Sequence, residues 1–195
     1  MSMEPRIART RNALTTALLR LLDDTQLEAI TVAGLCREAG VHRTTFYGHH
    51  RDVVDFAASV FVDELDAIAR VDIDAHTSLA APAVSDAYAE SLRQMLEHIA
   101  RERTTYRALF VSPIGSGFRS SLTARIRDRA LAALAVWKRQ GIATTVDDAA
   151  AASYISAGIV GSLEHWAASE QTDSAAYALT INDLMPRWWR RRTAS

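Results

Sequence analysis

Apolar residues recur every three to four positions along almost the whole chain, and no stretch sustains an alternation of two. That period belongs to amphipathic helices, so the pattern predicts an all-α protein of about nine helices. The segment RIARTRNALTTALLRLLDD places Ile7, Leu14, Leu18, Leu21 and Leu22 on one face of a first helix, which runs into the acidic turn DDTQLEAI. Thr31 is the expected N-cap of TVAGLCREAG, whose Val32, Leu35, Cys36 and Ala39 face one way and whose Gly40 suits a left-handed C-terminal position. HRTTFYGHH then predicts a second short helix, and a longer one starts near Asp52 through Val53, Phe56, Val60, Phe61 and Leu65.

Further along, DAHTSLAAP predicts a break, with Pro82 opening a helix over 83–102 that carries Val84, Tyr88, Leu92, Met95, Leu96 and Ile99. TTYRALFV is a short segment leading into SPIGSG, the clearest loop signal of the chain. Long helices follow over Phe118–Gln140, closed by Gly141, and over Val146–Ser169, where Asp147 and Asp148 favour a helix N-terminus. A last helix is expected over Asp173–Arg192, kinked at Pro186.

Two short helices joined by a tight glycine turn and braced by a longer helix make a helix-turn-helix unit. The second short helix of such a unit buries one face and presents the other to the major groove. Phe46 is its inward anchor, and the outward set is His42, Arg43, Thr44, Tyr47, Gly48 and His49. Arg43 suits two hydrogen bonds to guanine, Thr44 a base edge or thymine methyl, and Tyr47 and Thr45 phosphate oxygens. Gly48 removes a side chain where backbone approaches a duplex.

The same stretch admits other chemistry on paper. Adjacent His49 and His50 point about a hundred degrees apart on a helix, and no Cys, Asp or Glu stands at the spacing that zincin-like metal sites use. A general base needs a partner group that no spacing here supplies, and an unadorned solvated helix is the plainest reading.

Composition changes this picture little. With 49% apolar and 23% charged residues over 195 positions, the chain is globular and long enough for one or two domains. Net charge is −1, so a positive surface has to be local rather than general. The lone Cys36 makes no internal disulfide, which points to a reducing compartment. No apolar run reaches the ~18 residues of a membrane helix, so no membrane is expected and the cytoplasm is the default. No cofactor motif and no metal-ligand spacing is present in the sequence.

The segment ITVAGLCREAGVHRTTFYGHHRDVVDF resembles the DNA-binding unit of the TetR family of transcriptional regulators. Thr31, Val32, Leu35, Ala39, Gly40, Val41, Thr45, Phe46, Tyr47 and His49 fall on the family pattern. The resemblance implies phosphate contacts from Thr31, Thr45 and Tyr47, and base contacts from Arg43, Thr44 and His49. Two positions depart from it: His50 stands where the family has Phe, and Val53 where its phosphate-binding Lys begins the next helix. Arg51 is the candidate to supply that charge.

On this reading residues 1–50 are the DNA-binding domain and 51–195 a helical ligand-binding and dimerisation domain. One such unit binds too few phosphates to select a site, so a homodimer on palindromic double-stranded DNA is expected. DAAAASYISAGIVGSLEHWAAS has a small-residue surface (Ala149, Ala152, Ser156, Gly158, Ser162) beside an apolar one. From it and the last helix the expected interface comprises Ile155, Ile159, Ser162, Leu163, Trp166, Ile181, Leu184, Met185 and Trp188. The same stripes also suit an intrachain core.

The middle helices mix aromatic and polar side chains, Tyr88 and Phe118 among them, and the resemblance implies an inducer pocket there. The candidate lining is Met95, His98, Tyr106, Phe110, Trp137 and Tyr154, with ordinary packing as the alternative. RWWRRR at Arg187–Arg192 suits a cationic helix end, with a membrane anchor or an extra DNA contact as sharper readings. The expected function is a ligand-responsive repressor, not an enzyme; the rival is a dimeric DNA-binding architectural or protein-interaction module without a small ligand.

Overall fold

The structure is a computed structural model and describes residues 4–70, 81–111 and 115–189. Among the described residues there are nine α-helices, one 3-10 turn and no strand. We number the helices α1 (Glu4–Asp24), α2 (Val32–Ala39), α3 (Arg43–Tyr47), α4 (Val53–Ile68), α5 (Ala81–Arg101), α6 (Arg103–Val111), α7 (Gly115–Arg139), α8 (Asp148–Ala168) and α9 (Ser174–Leu184).

The expected helix boundaries hold where capping chemistry sets them. Thr31 Oγ1 accepts a hydrogen bond from the Gly34 amide at 3.1 Å and starts α2, and Gly40 ends it at φ 65°, a conformation that costs other residues a Cβ clash. Asp147 and Asp173 cap α8 and α9 in the same way, accepting from Ala150 at 2.7 Å and Ala176 at 2.9 Å.

Three boundaries differ from expectation. The second short helix stops at Tyr47 rather than running to His50, because Gly48, His49 and His50 turn back onto the Phe46 carbonyl or, for Gly48, onto Thr44 as well. Gly115, Ser116 and Gly117 of the expected loop are helical and open α7, while 112–114 lie outside the described residues. α9 ends at Leu184 instead of kinking at Pro186. Met185 is extended at ψ 151°, the conformation that a following proline imposes. The 74–80 part of the expected break and the arginines at 190–192 also lie outside the described residues.

The chain divides into two compact units. One is drawn from Met1–Val62 and Thr104–Phe118, the other from Asp63–Arg103 and Arg119–Ser195. In the first, α1 packs on α2 and α2 on α3 over Leu14, Leu18, Leu35 and Phe46, all buried. A ring cluster of Phe61, Tyr106, Phe110 and Phe118 also belongs to this unit, with centroids 5.0–6.2 Å apart.

In the second unit α5 lies against both α8 and α9. Trp166 fastens α8 to α5 by donating its indole N–H to the Leu96 carbonyl at 2.8 Å, and Tyr177 stacks on its ring at 5.0 Å. The Arg103 guanidinium lies 5.3 Å from the same ring and donates to the carbonyls of Trp166, Ser169 and Gln171, at and just beyond the C-terminal end of α8. No helix among the described residues is long and apolar enough to cross a membrane.

Candidate nucleic-acid interface and internal cavity

On α3 burial separates one residue from all others. Phe46 is fully buried, whereas His42, Arg43, Thr44, Thr45, Tyr47, Gly48 and His49 are all exposed, Tyr47 by 58%. Arg43 and Tyr47, four positions apart, share one face of the helix. Thr45, on another face, and His49, just past the helix end, line an open groove of about 530 Å³ with Ile7, Thr10 and Arg11 of α1. Thr31 is exposed at the start of α2, although its hydroxyl oxygen already accepts the capping bond.

Gly48 has an ordinary right-handed conformation at φ −66°, and a Cβ there would meet only the Thr45 and Thr44 carbonyls at 3.4 and 3.5 Å. Its lack of a side chain is therefore not needed by the turn.

His50 fills the place of an aromatic residue and behaves as one. Its ring lies 4.8 Å from that of Phe56 and 5.6 Å from Phe46, and its side chain is 16% exposed. Burial lowers its pKa, against the pull of Asp55, whose Oδ2 is 3.6 Å from Nδ1. Burial alone would raise the Asp55 carboxyl, but hydrogen bonds from the Arg51 guanidinium at 3.0 Å and the Arg51 amide at 3.2 Å outweigh it and hold it below the ordinary value. Arg51 is exposed but engaged with Asp55, and Val53 is buried in the core at 4% exposure. Asp52 caps α4 by accepting from the Asp55 amide at 2.8 Å. Buried Cys36 has its thiol pKa raised by desolvation, which Arg43 only partly offsets.

The second unit carries a partly open cavity of about 60 Å³. Of the six expected lining residues only Met95 lines it. Tyr106 and Phe110 are buried in the ring cluster of the other unit, His98 faces Glu64 at 3.1 Å, and Tyr154 is 68% exposed. Trp137 stacks on Trp189 at 4.6 Å, and its buried indole N–H has no partner among the described residues. Tyr88, part of the aromatic mixture though not of the six, lines it, and the lining that the sequence did not suggest comes from Ile126, Arg129, Ile155, Asn182 and Trp189 among others. Two signals marked it: Arg129 interrupts the apolar stripe Leu122, Ile126, Ala130, Ala133, and Tyr88 lies between Val84 and Leu92.

The expected dimer face is corrected by the same burial. Leu163 and Trp166 are fully buried within the chain, and Ile155 and Ile181 are 4% exposed, so they have no surface to offer a second copy. Ile159 and Met185 line the cavity, and Trp188 packs against Trp137 and Trp189. Ala152 and Ser156 of the small-residue surface are likewise buried, and the Ser162 hydroxyl bonds the Gly158 carbonyl at 2.9 Å. Leu184 alone among the nine remains strongly exposed, at 70%. The outward stripe is one step round: Tyr154, Ala157, Gly158, Gly161 and His165 on α8, with Leu179 and Leu184 on α9.

Among the described residues no three His, Cys, Asp or Glu side chains come together as metal ligands. No family model and no curated protein matches the chain. Solved structures do. A putative TetR-family transcriptional regulator from Syntrophomonas wolfei superposes with a TM-score of 0.64 at 15% identity, over 91% of this chain and 92% of that one. A TetR transcriptional regulator from a Rhodococcus species gives 0.62 at 14%, over 94% and 97%. The TetR family repressor AlkX from a Dietzia strain, implicated in biodegradation of n-alkanes, gives 0.62 at 17%, over 89% and 91%. At such identities the likeness is one of fold, and it extends over nearly the full length of each.

Proposed function

We propose, for a chain that carries the fold of TetR-family transcriptional regulators, that it acts in the cytoplasm as a dimeric, ligand-responsive repressor on a palindromic operator. The observation that carries this reading is α3: a helix of five residues with Phe46 fully buried and Arg43, Thr44 and Tyr47 exposed. Arg43 is assigned the guanine contact and Thr44 a base edge. Thr31, Thr45 and Tyr47 are assigned phosphates, and His42 and His49 flank them. Gly48 gives the duplex room. Arg51 reaches a phosphate only by leaving Asp55, so its contribution is smaller than that of a free cation.

Dimerisation is assigned to the outward stripe of α8 and α9. Alanine and glycine at 157, 158 and 161 let a partner helix approach closely, and exposed Leu179 and Leu184 supply apolar area. The effector is assigned to the cavity. Its effect on DNA runs through α4, whose residues 53–62 belong to the first unit and 63–68 to the second. A ligand that favours one position of α4 shifts the population that fits the operator, and needs only unequal affinity for the two states.

Sequencing the DNA fragments that purified protein retains is the direct test. Recovery of one inverted repeat, with binding lost in Arg43→Ala, supports the repressor. Equal retention of random fragments supports the rival architectural module instead.

A further inference from the structure

The cavity is apolar except for a few groups, and those groups are not equivalent. Ser91 already donates its hydroxyl to the Ile68 carbonyl at 3.3 Å. Arg129 is engaged with Asp66: Nε and Nη2 donate to Oδ1 at 3.1 and 2.7 Å, and Nη2 also to the backbone carbonyl at 2.6 Å. Both side chains are largely buried, at 20% and 15% exposure. The one cation in the lining is therefore neutralised before any ligand arrives. A carboxylate entering the cavity has to give up its water and compete with Asp66 for the same fork of donors.

Tyr88 is the opposite case. Its hydroxyl is buried at the cavity with no hydrogen-bond partner among the described residues, and desolvation pushes its pKa up to about 12, Arg129 pulling the other way. It is a neutral phenol at any physiological pH, and a buried polar group of this kind gains from whatever completes its hydrogen bond. The room is small, well below the roughly 150 Å³ of an engineered cavity that admits benzene. Met95 and Met185 form part of the wall, and methionine is the side chain that repacks most readily around an incoming group.

We propose that the cavity takes a short, uncharged, largely apolar molecule with one hydrogen-bonding group, engaged by the Tyr88 hydroxyl, and that Asp66 excludes anions by holding Arg129. This rests on the assignment of the cavity as the effector site, and the test separates the two.

The full-length protein is titrated at pH 7.5 with hexan-1-ol, hexanoate and toluene, followed by tryptophan fluorescence, since Trp189 lines the cavity. Hexan-1-ol binds at least about tenfold more tightly than hexanoate, the scale expected when a carboxylate is desolvated without a free partner. Tyr88→Phe weakens hexan-1-ol about five- to tenfold and leaves toluene unchanged, as loss of a single hydrogen bond requires. Asp66→Asn brings hexanoate level with the alcohol or ahead of it, because the charge that neutralises Arg129 is removed. If Asp66→Asn fails to fold by circular dichroism, the Tyr88→Phe comparison decides alone. Hexanoate binding as tightly as hexan-1-ol to the unaltered protein overturns the charge selectivity and leaves the effector site standing. No response to any of the three probes overturns both.

Discussion

Replacing His50 with Phe tests whether the odd residue of the DNA-binding segment is an aromatic in disguise. The imidazole already makes the ring contacts of a core aromatic, at 4.8 Å to Phe56 and 5.6 Å to Phe46. What Phe gives up is the approach of Nδ1 to Asp55, which at 3.6 Å is too long for a good hydrogen bond. What it gains is the removal of a polar ring from a site only 16% exposed, with a fuller aromatic pair worth about 0.5–1.5 kcal/mol. For 195 residues that corresponds to a rise in melting temperature of roughly 1–6 °C.

The pH dependence carries the sharper signature. A histidine whose folded pKa lies below its ordinary 6.5 binds its proton more readily when unfolded, so its contribution to stability is present above 6.5 and is lost as pH falls through the folded value. Asp55, held below the ordinary 3.8, titrates in a separate and lower window. Thermal denaturation of both proteins between pH 8 and pH 5 should therefore show His50→Phe ahead throughout and the gap widening toward pH 5. Parallel curves would refute the buried, neutral histidine, and a variant less stable at pH 8 would refute the packing argument.

Gly40→Ala, forced to hold φ 65°, loses about 1–2 kcal/mol in denaturant unfolding; no loss would mean the turn can relax. Gly48→Ala keeps the melting temperature because its Cβ meets nothing closer than 3.4 Å, yet weakens operator binding in a gel-shift titration if the duplex approaches that backbone. Leu179→Asp with Leu184→Asp leaves the fold intact, since both are about two-thirds exposed, and shifts sedimentation toward monomer; a persistent dimer would place the interface elsewhere. Buried Cys36, its thiol pKa raised, reacts with a thiol reagent only as fast as the chain opens, and labelling at the rate of a free thiol would contradict its burial.

Local chemistry was legible from the sequence; partnership between distant helices was not. Thr31, Gly40 and Asp147 announced helix ends because a cap needs only neighbours within three or four residues. Phe46 was legible for a related reason, as the one apolar side chain on a polar helix. The cavity depends on which faces of α5, α7, α8 and α9 meet, and aromatic character did not reveal that: Tyr106 and Phe110 went to the ring cluster around Phe61. Which face of α8 stays outside was missed by one helical step. α8 is apolar and small all round, so periodicity alone could not tell Trp166, inside, from Tyr154, outside. An early stop at Leu184 was legible in principle, since the residue before Pro186 resists the helical conformation.

The Arg103 clamp has a kinetic side. Its guanidinium joins carbonyls that lie 63, 66 and 68 residues further along the chain, so the end of α8 cannot be closed until a long loop has been gathered in. Contacts of that separation form late in folding, whereas the α1–α2–α3 packing joins near neighbours and can form early. Weakening the clamp should thus speed unfolding more than it slows folding, so that the clamp acts on how long the α8–α9 corner lasts rather than on how fast it forms.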